Sequence, residues 1–350
     1  MKFYNQIYGN KSVGAGSWMS KKLFKENLIN PFSKNVIKSF KKQIYKDFKR
    51  IKVLKKLKNF DVMDVGSGRQ ALAILEMGAK SVDHYDISLN NINKFRKILK
   101  NKKLIRTIHA DICKKNFNKK IYDLIYLQGI IHHVKYPYMA LNNISKATNK
   151  FGIVWLYHYQ CTSPVYFYIS TLRNIFNKKK LSSLFYQLNK LNFSKKKLDF
   201  LMDDLGCDFI HLYNPKYYKI NMENLGFKQF YQKEVINIDN GINYNLNKPS
   251  CLTAYKKEKI YKKKKINNFR KKINVFDYKN YIMSQQKSIK ELNLLNRKII
   301  KYLKKNRRKI NEIIKIVKPL LESYFNFANQ DKLQFKKMLD SYRRTCEFIK

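Results

Sequence analysis

The chain has 350 residues, five cysteines and a formal charge of +50. That length suits one domain of ordinary size with additions at both ends. Cys113, Cys161, Cys207, Cys251 and Cys346 lack paired ligand spacing, so neither a disulfide framework nor a zinc site is indicated; with no apolar run near membrane-span length and no signal-peptide core in residues 1–10, a reducing cytoplasm is the expected setting.

The basic excess is mostly Lys and comes with abundant Asn, Ile, Tyr and Phe, the amino acids of AT-rich codons. Charge of this origin speaks to solubility and non-specific association with RNA, DNA or an anionic membrane rather than to chemistry. The runs Lys195-Lys196-Lys197 and residues 262–265 therefore read as solvated faces or linkers.

In chain order, residues 1–58 read as a loop, with a flexible turn at Gly14-Ala15-Gly16-Ser17, and then one helix over 33–57. Residues 60–65 are an apolar strand that runs into Asp64-Val65-Gly66-Ser67-Gly68, and a helix begins near Ala71. Two glycines at a strand-to-helix turn let a ligand approach the backbone closely, and Ala71 fits the small position where the helix packs on the sheet. A dinucleotide pyrophosphate would be repelled by the Asp64 carboxylate, whereas S-adenosylmethionine, with an ammonium, a sulfonium and no phosphate, would not.

A second strand over 81–85 ends at Asp86, about twenty residues past the glycines, where a carboxylate can accept both hydroxyls of a ribose; Ser88 follows as a helix cap. The third strand, 104–110, ends at Asp111-Ile112, placed for an adenine amino group and ring face, and the fourth, 122–127, delivers Gln128-Gly129 to the same edge. Helical segments 90–99 and 138–147 alternate with these strands, which predicts an α/β, Rossmann-like doubly wound sheet with its ligand at the carboxyl edge.

Asp64-Val65-Gly66-Ser67-Gly68, Asp86-Ile87-Ser88, Asp111-Ile112 and Gln128-Gly129-Ile130-Ile131-His132-His133 together resemble the class I S-adenosylmethionine-dependent methyltransferases over roughly 59–256. The Gly-x-x-His-His ending looks like the small-molecule branch, which includes quinone- and glycan-modifying enzymes. The resemblance implies S-adenosyl-L-methionine as cofactor, held by Asp64, Gly66, Ser67, Gly68, Asp86, Ile87, Asp111, Ile112, Gln128 and Gly129. It also implies a mostly parallel sheet whose seventh strand inserts antiparallel. Matching candidates are a fifth strand over 152–157, a sixth over 229–238 and a seventh over 250–255, with turn signals at Asn240-Gly241 and Asn247-Lys248-Pro249.

Residues 161–218 form an insertion that in such enzymes builds the substrate pocket. Tyr159, Tyr166, Phe167, Tyr168, Phe185, Tyr186, Tyr213, Tyr217 and Tyr218 line a cleft or else fill a core. Residues 1–58 are the expected helical cap over the substrate, with Tyr4, Tyr8 and Trp18 as pocket candidates. Residues 257–350 form a basic C-terminal extension, in which Leu292, Leu295, Ile299, Leu303, Ile310, Ile313 and Val317 recur at three- and four-residue steps. That pattern predicts an amphipathic helix ended or broken near Pro319. It would dock on its own catalytic domain, dimerise, lie on anionic lipid or meet a partner enzyme.

Methyl transfer needs an acceptor held in line with the sulfonium methyl, plus proton removal where the acceptor is a hydroxyl or phenol. His133 and His132 are the candidate bases, with His158 third; structural packing and backbone capping are the competing roles for these rings. No metal is called for. The expected acceptor is oxygen or nitrogen of a small molecule, lipid precursor or glycan, since residues after the fourth strand lack the Asn/Asp-Pro-Pro-aromatic motif of nucleic-acid enzymes. The alternatives are an RNA methyltransferase working on its basic surface, and a non-catalytic, cofactor-binding assembly subunit.

Overall fold

In the computed structural model the described residues are 34–66, 68–99, 104–114, 120–159, 164–176, 181–191, 195–207, 209–211, 213, 215–233, 250–258, 286–306, 309–325 and 334–349. Ser67, Tyr4, Tyr8, Trp18, the turn at 14–17, the hairpin turn residues 240–249 and the lysines of 262–265 lie outside them.

Seven strands form one sheet: β1 (Asp61–Val65), β2 (Ser81–Asp86), β3 (Ile105–His109), β4 (Tyr122–Gln128), β5 (Thr148–Tyr159), β6 (Phe227–Lys233) and β7 (Ser250–Lys257). Their spatial order is β3-β2-β1-β4-β5-β7-β6. The first five run parallel, and β7 is antiparallel to both β5 and β6, as expected. β5 starts at Thr148 rather than near Gly152, because the β4–β5 register shifts between Tyr122 and Leu124. Gly152 is required at this irregularity, since a Cβ there would lie 2.8 Å from Thr148 Cγ2 and 2.9 Å from the Asn149 carbonyl.

Successive residues of the central strands point to opposite faces, and both faces are buried. On one face Val62, Leu124, Tyr126 and Trp155 pack against α1 (Lys34–Arg50), α2 (Arg69–Glu76) and α3 (Leu89–Ile98). Phe48 of α1 meets Tyr126 and Trp155 edge-on at 5.9 and 6.2 Å between centroids. On the other face Met63, Ile125, Leu127, Val154 and Leu156 pack against α4 (Pro137–Ala147) and the helix preceding β6. Lys257 closes this layer by donating to the carbonyls of Ser145 (2.5 Å) and Thr148 (2.7 Å), which tethers the end of β7 to the end of α4.

The single helix expected over 33–57 is divided. Lys52 takes a left-handed φ of 56°, with Val53 N–H donating to Phe48 O (3.0 Å) and Lys52 N–H to Lys49 O (3.2 Å). This is a Schellman ending, and the chain resumes as a 3-10 turn at Leu54–Asn59.

Among the described residues, four helices lie between β5 and β6: α5 (Pro164–Ile175), α6 (Leu181–Lys190), α7 (Lys195–Gly206) and α8 (Pro215–Asn224). After the sheet the described residues form α9 (Gln286–Lys305), α10 (Ile310–Phe325) and α11 (Gln334–Glu347). The single helix expected to carry the C-terminal amphipathic stripe is two: α9 ends at Lys305, and Pro319 lies inside α10 rather than ending it. The stripe is buried within this chain. Leu292, Ile299, Ile313, Val317 and Leu320 join Leu172, Leu184 and Leu201 of α5–α7 in a third core, separate from the two on the sheet. Tyr168, whose hydroxyl meets Ser323 Oγ (2.6 Å) and Ser341 Oγ (3.3 Å), ties α5 to α10 and α11. Phe167 and Tyr168 are therefore core residues, whereas Tyr186 is exposed.

Leu172 is fully buried in this third core. Truncation to Ala should cost about 2–5 kcal/mol of stability. Chemical denaturation is the check, and a loss below about 1 kcal/mol would contradict the packing described.

Candidate active site

The carboxyl edge of the sheet gathers the sequence-predicted residues. Beyond β1, Gly66 has φ +130° and Gly68 has φ +81°, a region closed in practice to other residues. Space is equally restrictive. A Cβ on Gly66 would lie 2.9 Å from Ile130 Cδ1, and one on Gly68 would lie 3.0 Å from the Phe95 ring. Gly66 N–H donates to the Tyr85 carbonyl (3.0 Å), so the turn is anchored to β2.

Asp64 lies beneath this turn. It is fully buried, with Oδ2 2.8 Å from His84 Nδ1, and Oδ1 has no hydrogen-bond partner among the described residues. The His84 ring packs edge-on against Phe95, 4.9 Å away, so the pair links β1, β2 and α3.

Asp86 ends β2. Its Oδ1 accepts from Ser88 N–H (2.7 Å) and Oδ2 from Asn91 Nδ2 (3.0 Å), while Ser88 Oγ accepts from Asn91 N–H (3.3 Å) and caps α3. Burial outweighs these donors and pushes the Asp86 carboxyl up to about 6. Ile87 beside it is exposed, and its carbonyl accepts from His109 Nε2 (3.0 Å).

After β3, half-buried Asp111 accepts from Cys113 N–H through Oδ1 (2.9 Å). Ile112 is buried in the core, and its carbonyl accepts from Asn143 Nδ2 (2.8 Å). After β4, Gln128 Oε1 accepts from the Tyr126 hydroxyl (3.1 Å), and Gly129, with φ +73°, faces the Tyr157 ring.

The next turn holds the two candidate bases in contrasting ways. His132 is fully buried, stacked on Tyr159 at 3.5 Å, and accepts from Tyr159 N–H at Nδ1 (3.3 Å). In the neutral ring its proton therefore sits on Nε2, which has no partner among the described residues. Burial, and the neighbouring His133, His158 and His211, hold its basicity well below the ordinary histidine value. His133 Nδ1–H donates to the Phe209 carbonyl (3.1 Å), which leaves Nε2 with the lone pair. Burial brings the His133 ring down to about 4. His158 is buried against Tyr218, with ring centroids 4.1 Å apart, and is also brought down to about 4 by burial.

His211 and Tyr213 join this group. His211 N–H donates to the His132 carbonyl (2.8 Å) and its Nε2–H to the Val134 carbonyl (2.8 Å), while the Tyr213 hydroxyl donates to its Nδ1 (3.2 Å). Sequence reading missed His211. The signal available was the alternation of rings at Phe209, His211 and Tyr213, which stack at 6.1 and 5.3 Å.

A doubly wound, mostly parallel sheet with an antiparallel last hairpin, carrying a glycine turn after β1 and carboxylates after β2 and β3, is the architecture of a class I S-adenosylmethionine-dependent methyltransferase. The family model described as a methyltransferase domain matches residues 63–156. The chain therefore carries a class I methyltransferase domain, and it is an enzyme with S-adenosyl-L-methionine as methyl donor. The site fits that cofactor: positions 66 and 68 of the turn after β1 are restricted to glycine, and both Asp86 and Asp111 stand at strand ends on the same edge.

Among solved structures, PKMT2 of Rickettsia typhi is 17% identical, with 59% of this chain and 51% of that chain covered and a TM-score of 0.43. An S-adenosylmethionine-dependent methyltransferase of Mesorhizobium loti is 16% identical, covering 57% and 91% with a TM-score of 0.40. The magnesium protoporphyrin IX methyltransferase of Synechocystis PCC 6803, solved with S-adenosylmethionine bound, is 10% identical, covering 68% and 88% with a TM-score of 0.40. No curated protein sequence matches the chain.

The Asp86 carboxyl gives a stability prediction. Its folded value lies above the unfolded one, so its contribution is complete below pH 4 and is lost as pH rises through about 6. Without ligand, wild type should lose about 3 kcal/mol relative to Asp86→Asn between about pH 3 and about pH 8, with about 2 kcal/mol of it between about pH 4 and about pH 6. Urea unfolding across that range measures it, and parallel profiles would contradict a buried Asp86.

Proposed function

We propose that the protein transfers a methyl group from S-adenosylmethionine to oxygen or nitrogen of a small molecule, lipid precursor or glycan, with His133 as general base. The observation that carries this reading is the His133–Phe209 hydrogen bond, which leaves Nε2 free to take a proton directly after β4. When bound, the cofactor supplies an electrophilic methyl group on a positively charged sulfur.

In this reading the two carboxylate sites divide the work of binding. Asp86 retains lone pairs beyond those used by Ser88 and Asn91, and accepts from the ribose hydroxyls. Asp111 receives the adenine amino group. Gly66 and Gly68 bring backbone against the methionine portion, with Asp64 beneath them, and Gln128 and Gly129 form the opposite wall. Ile87 borders the ribose, and Ile112 supports the adenine end from within the core.

His133 suits the base role better than its neighbour, because His132 carries its proton on Nε2 and accepts at Nδ1. Brought down to about 4 by burial, His133 is neutral at pH 7 with its Nε2 lone pair available, though burial also weakens its pull on a proton. His132 stacked on Tyr159, with Tyr157 at 6.5 Å, gives the acceptor side an aromatic wall suited to an apolar or ring-bearing molecule. The absence of the nucleic-acid acceptor motif after β4 further supports a small acceptor.

Incubation of the purified protein with methyl-labelled S-adenosylmethionine and extract of its own host tests this reading. Label should enter a nuclease-resistant small-molecule, lipid or glycan pool, and His133→Gln should slow its appearance about a hundredfold. Nuclease-sensitive label would overturn the acceptor class, and unchanged transfer by the variant would remove His133 as base.

A further inference from the structure

The turn bearing His133 is stitched to the stretch Phe209–Tyr213 by bonds that run in both directions. His133 Nδ1–H reaches the Phe209 carbonyl at 3.1 Å. In return, His211 binds the turn on either side of His133, through its backbone N–H to the His132 carbonyl and its ring Nε2–H to the Val134 carbonyl, both at 2.8 Å. The turn's own internal bond, His133 N–H to Ile130 O at 2.8 Å, fixes its backbone but leaves the ring's rotation open.

We propose that His211 is a positioning residue that fixes the placement and tautomer of His133. This rests on the reading of His133 as the group that serves the acceptor. The imidazole is suited to the task because its two nitrogens face opposite ways on a rigid plane. Tyr213 O–H donates to Nδ1 at 3.2 Å, and a neutral ring that accepts there carries its proton on Nε2, where it reaches Val134. Phe209, His211 and Tyr213 lie with their rings nearly parallel, at interplanar angles of 1° and 13°. The bonding therefore closes on itself: Tyr213 sets His211, His211 holds the backbone flanking His133, and His133 returns to Phe209.

This segment is in turn secured to the helices. Arg173 of α5 donates to the carbonyls of Asp204 and, at 2.9 Å, Cys207, two residues before Phe209. A displacement of the segment would release the Phe209 carbonyl, and His133 Nδ1 would lose the acceptor that keeps the proton on that nitrogen. The neutral ring would then place its proton on Nε2, the nitrogen that has to accept. Misplacement or the wrong tautomer of a general base is costly to turnover and leaves cofactor binding unaffected.

The test uses the full chain with 15N-labelled histidine, saturated with S-adenosylhomocysteine, and His133 assigned with His133→Gln. Long-range proton–nitrogen spectra should show His133 protonated on Nδ1 in wild type and in His211→Gln, whose amide can still donate to Val134. In His211→Phe the two tautomers should mix, and label transfer into the host-extract pool should fall about tenfold or more, with S-adenosylhomocysteine affinity within about twofold of wild type. An unchanged His133 tautomer and unchanged transfer in His211→Phe would overturn the proposal, as would His211→Gln behaving as badly as His211→Phe. Should His211→Phe fail to fold, Tyr213→Phe keeps the imidazole and removes its partner. It is expected to mix the His133 tautomers partially, and a wild-type spectrum would count against the proposal. If His133→Gln transfers label normally while His211→Phe shifts the His133 tautomer, the positioning stands and the base assignment falls.

Discussion

The contact between Gly66 and Ile130 fixes where the two halves of the site meet. Gly66 follows β1 and Ile130 follows β4, neighbouring parallel strands whose carboxyl ends open side by side. With 2.9 Å between a hypothetical Gly66 Cβ and Ile130 Cδ1, the cofactor turn and the histidine turn pack in direct contact. Bulk at Gly66 would have to displace the Ile130 side chain, and the φ of +130° there independently holds the position to glycine. The glycine requirement after β1 and the turn after β4 thus meet at one side chain, Ile130.

Much of the fold was legible because its signals are local. The apolar runs of β1, β2 and β4, the glycine turn, the Ser88 cap and the Pro137 start of α4 each follow from a few adjacent residues, and the antiparallel position of β7 followed from the family resemblance. The divided N-terminal helix was not legible, since Lys52 carries no glycine signal for the left-handed conformation it adopts. Pro319 misled in the opposite sense: a strong breaker is accommodated inside α10, while α9 ends at Lys305.

The site divides similarly. Positions set by strand ends, such as Asp86 and Asp111, were placed by spacing alone. Ile112 packs in the core beside α4, a placement that depends on tertiary packing rather than on position in the chain. His211 stands 78 residues beyond His133 in the chain, so only the tertiary bonds reveal their relation. The third hydrophobic core shows the same limit. The sequence shows an apolar stripe needing cover, and the fold supplies α5–α7 as the cover.

The central claim is that the edge formed by the turns after β1, β2 and β3 holds S-adenosylmethionine. Amide hydrogen exchange with and without S-adenosylhomocysteine, at saturation verified by calorimetry, tests it most directly. New protection should concentrate at Gly66–Arg69, at Ser88 and around Asp111–Cys113, with little change in α9–α11. Saturable binding with protection confined to the helices, or no binding at all, would contradict this placement of the cofactor.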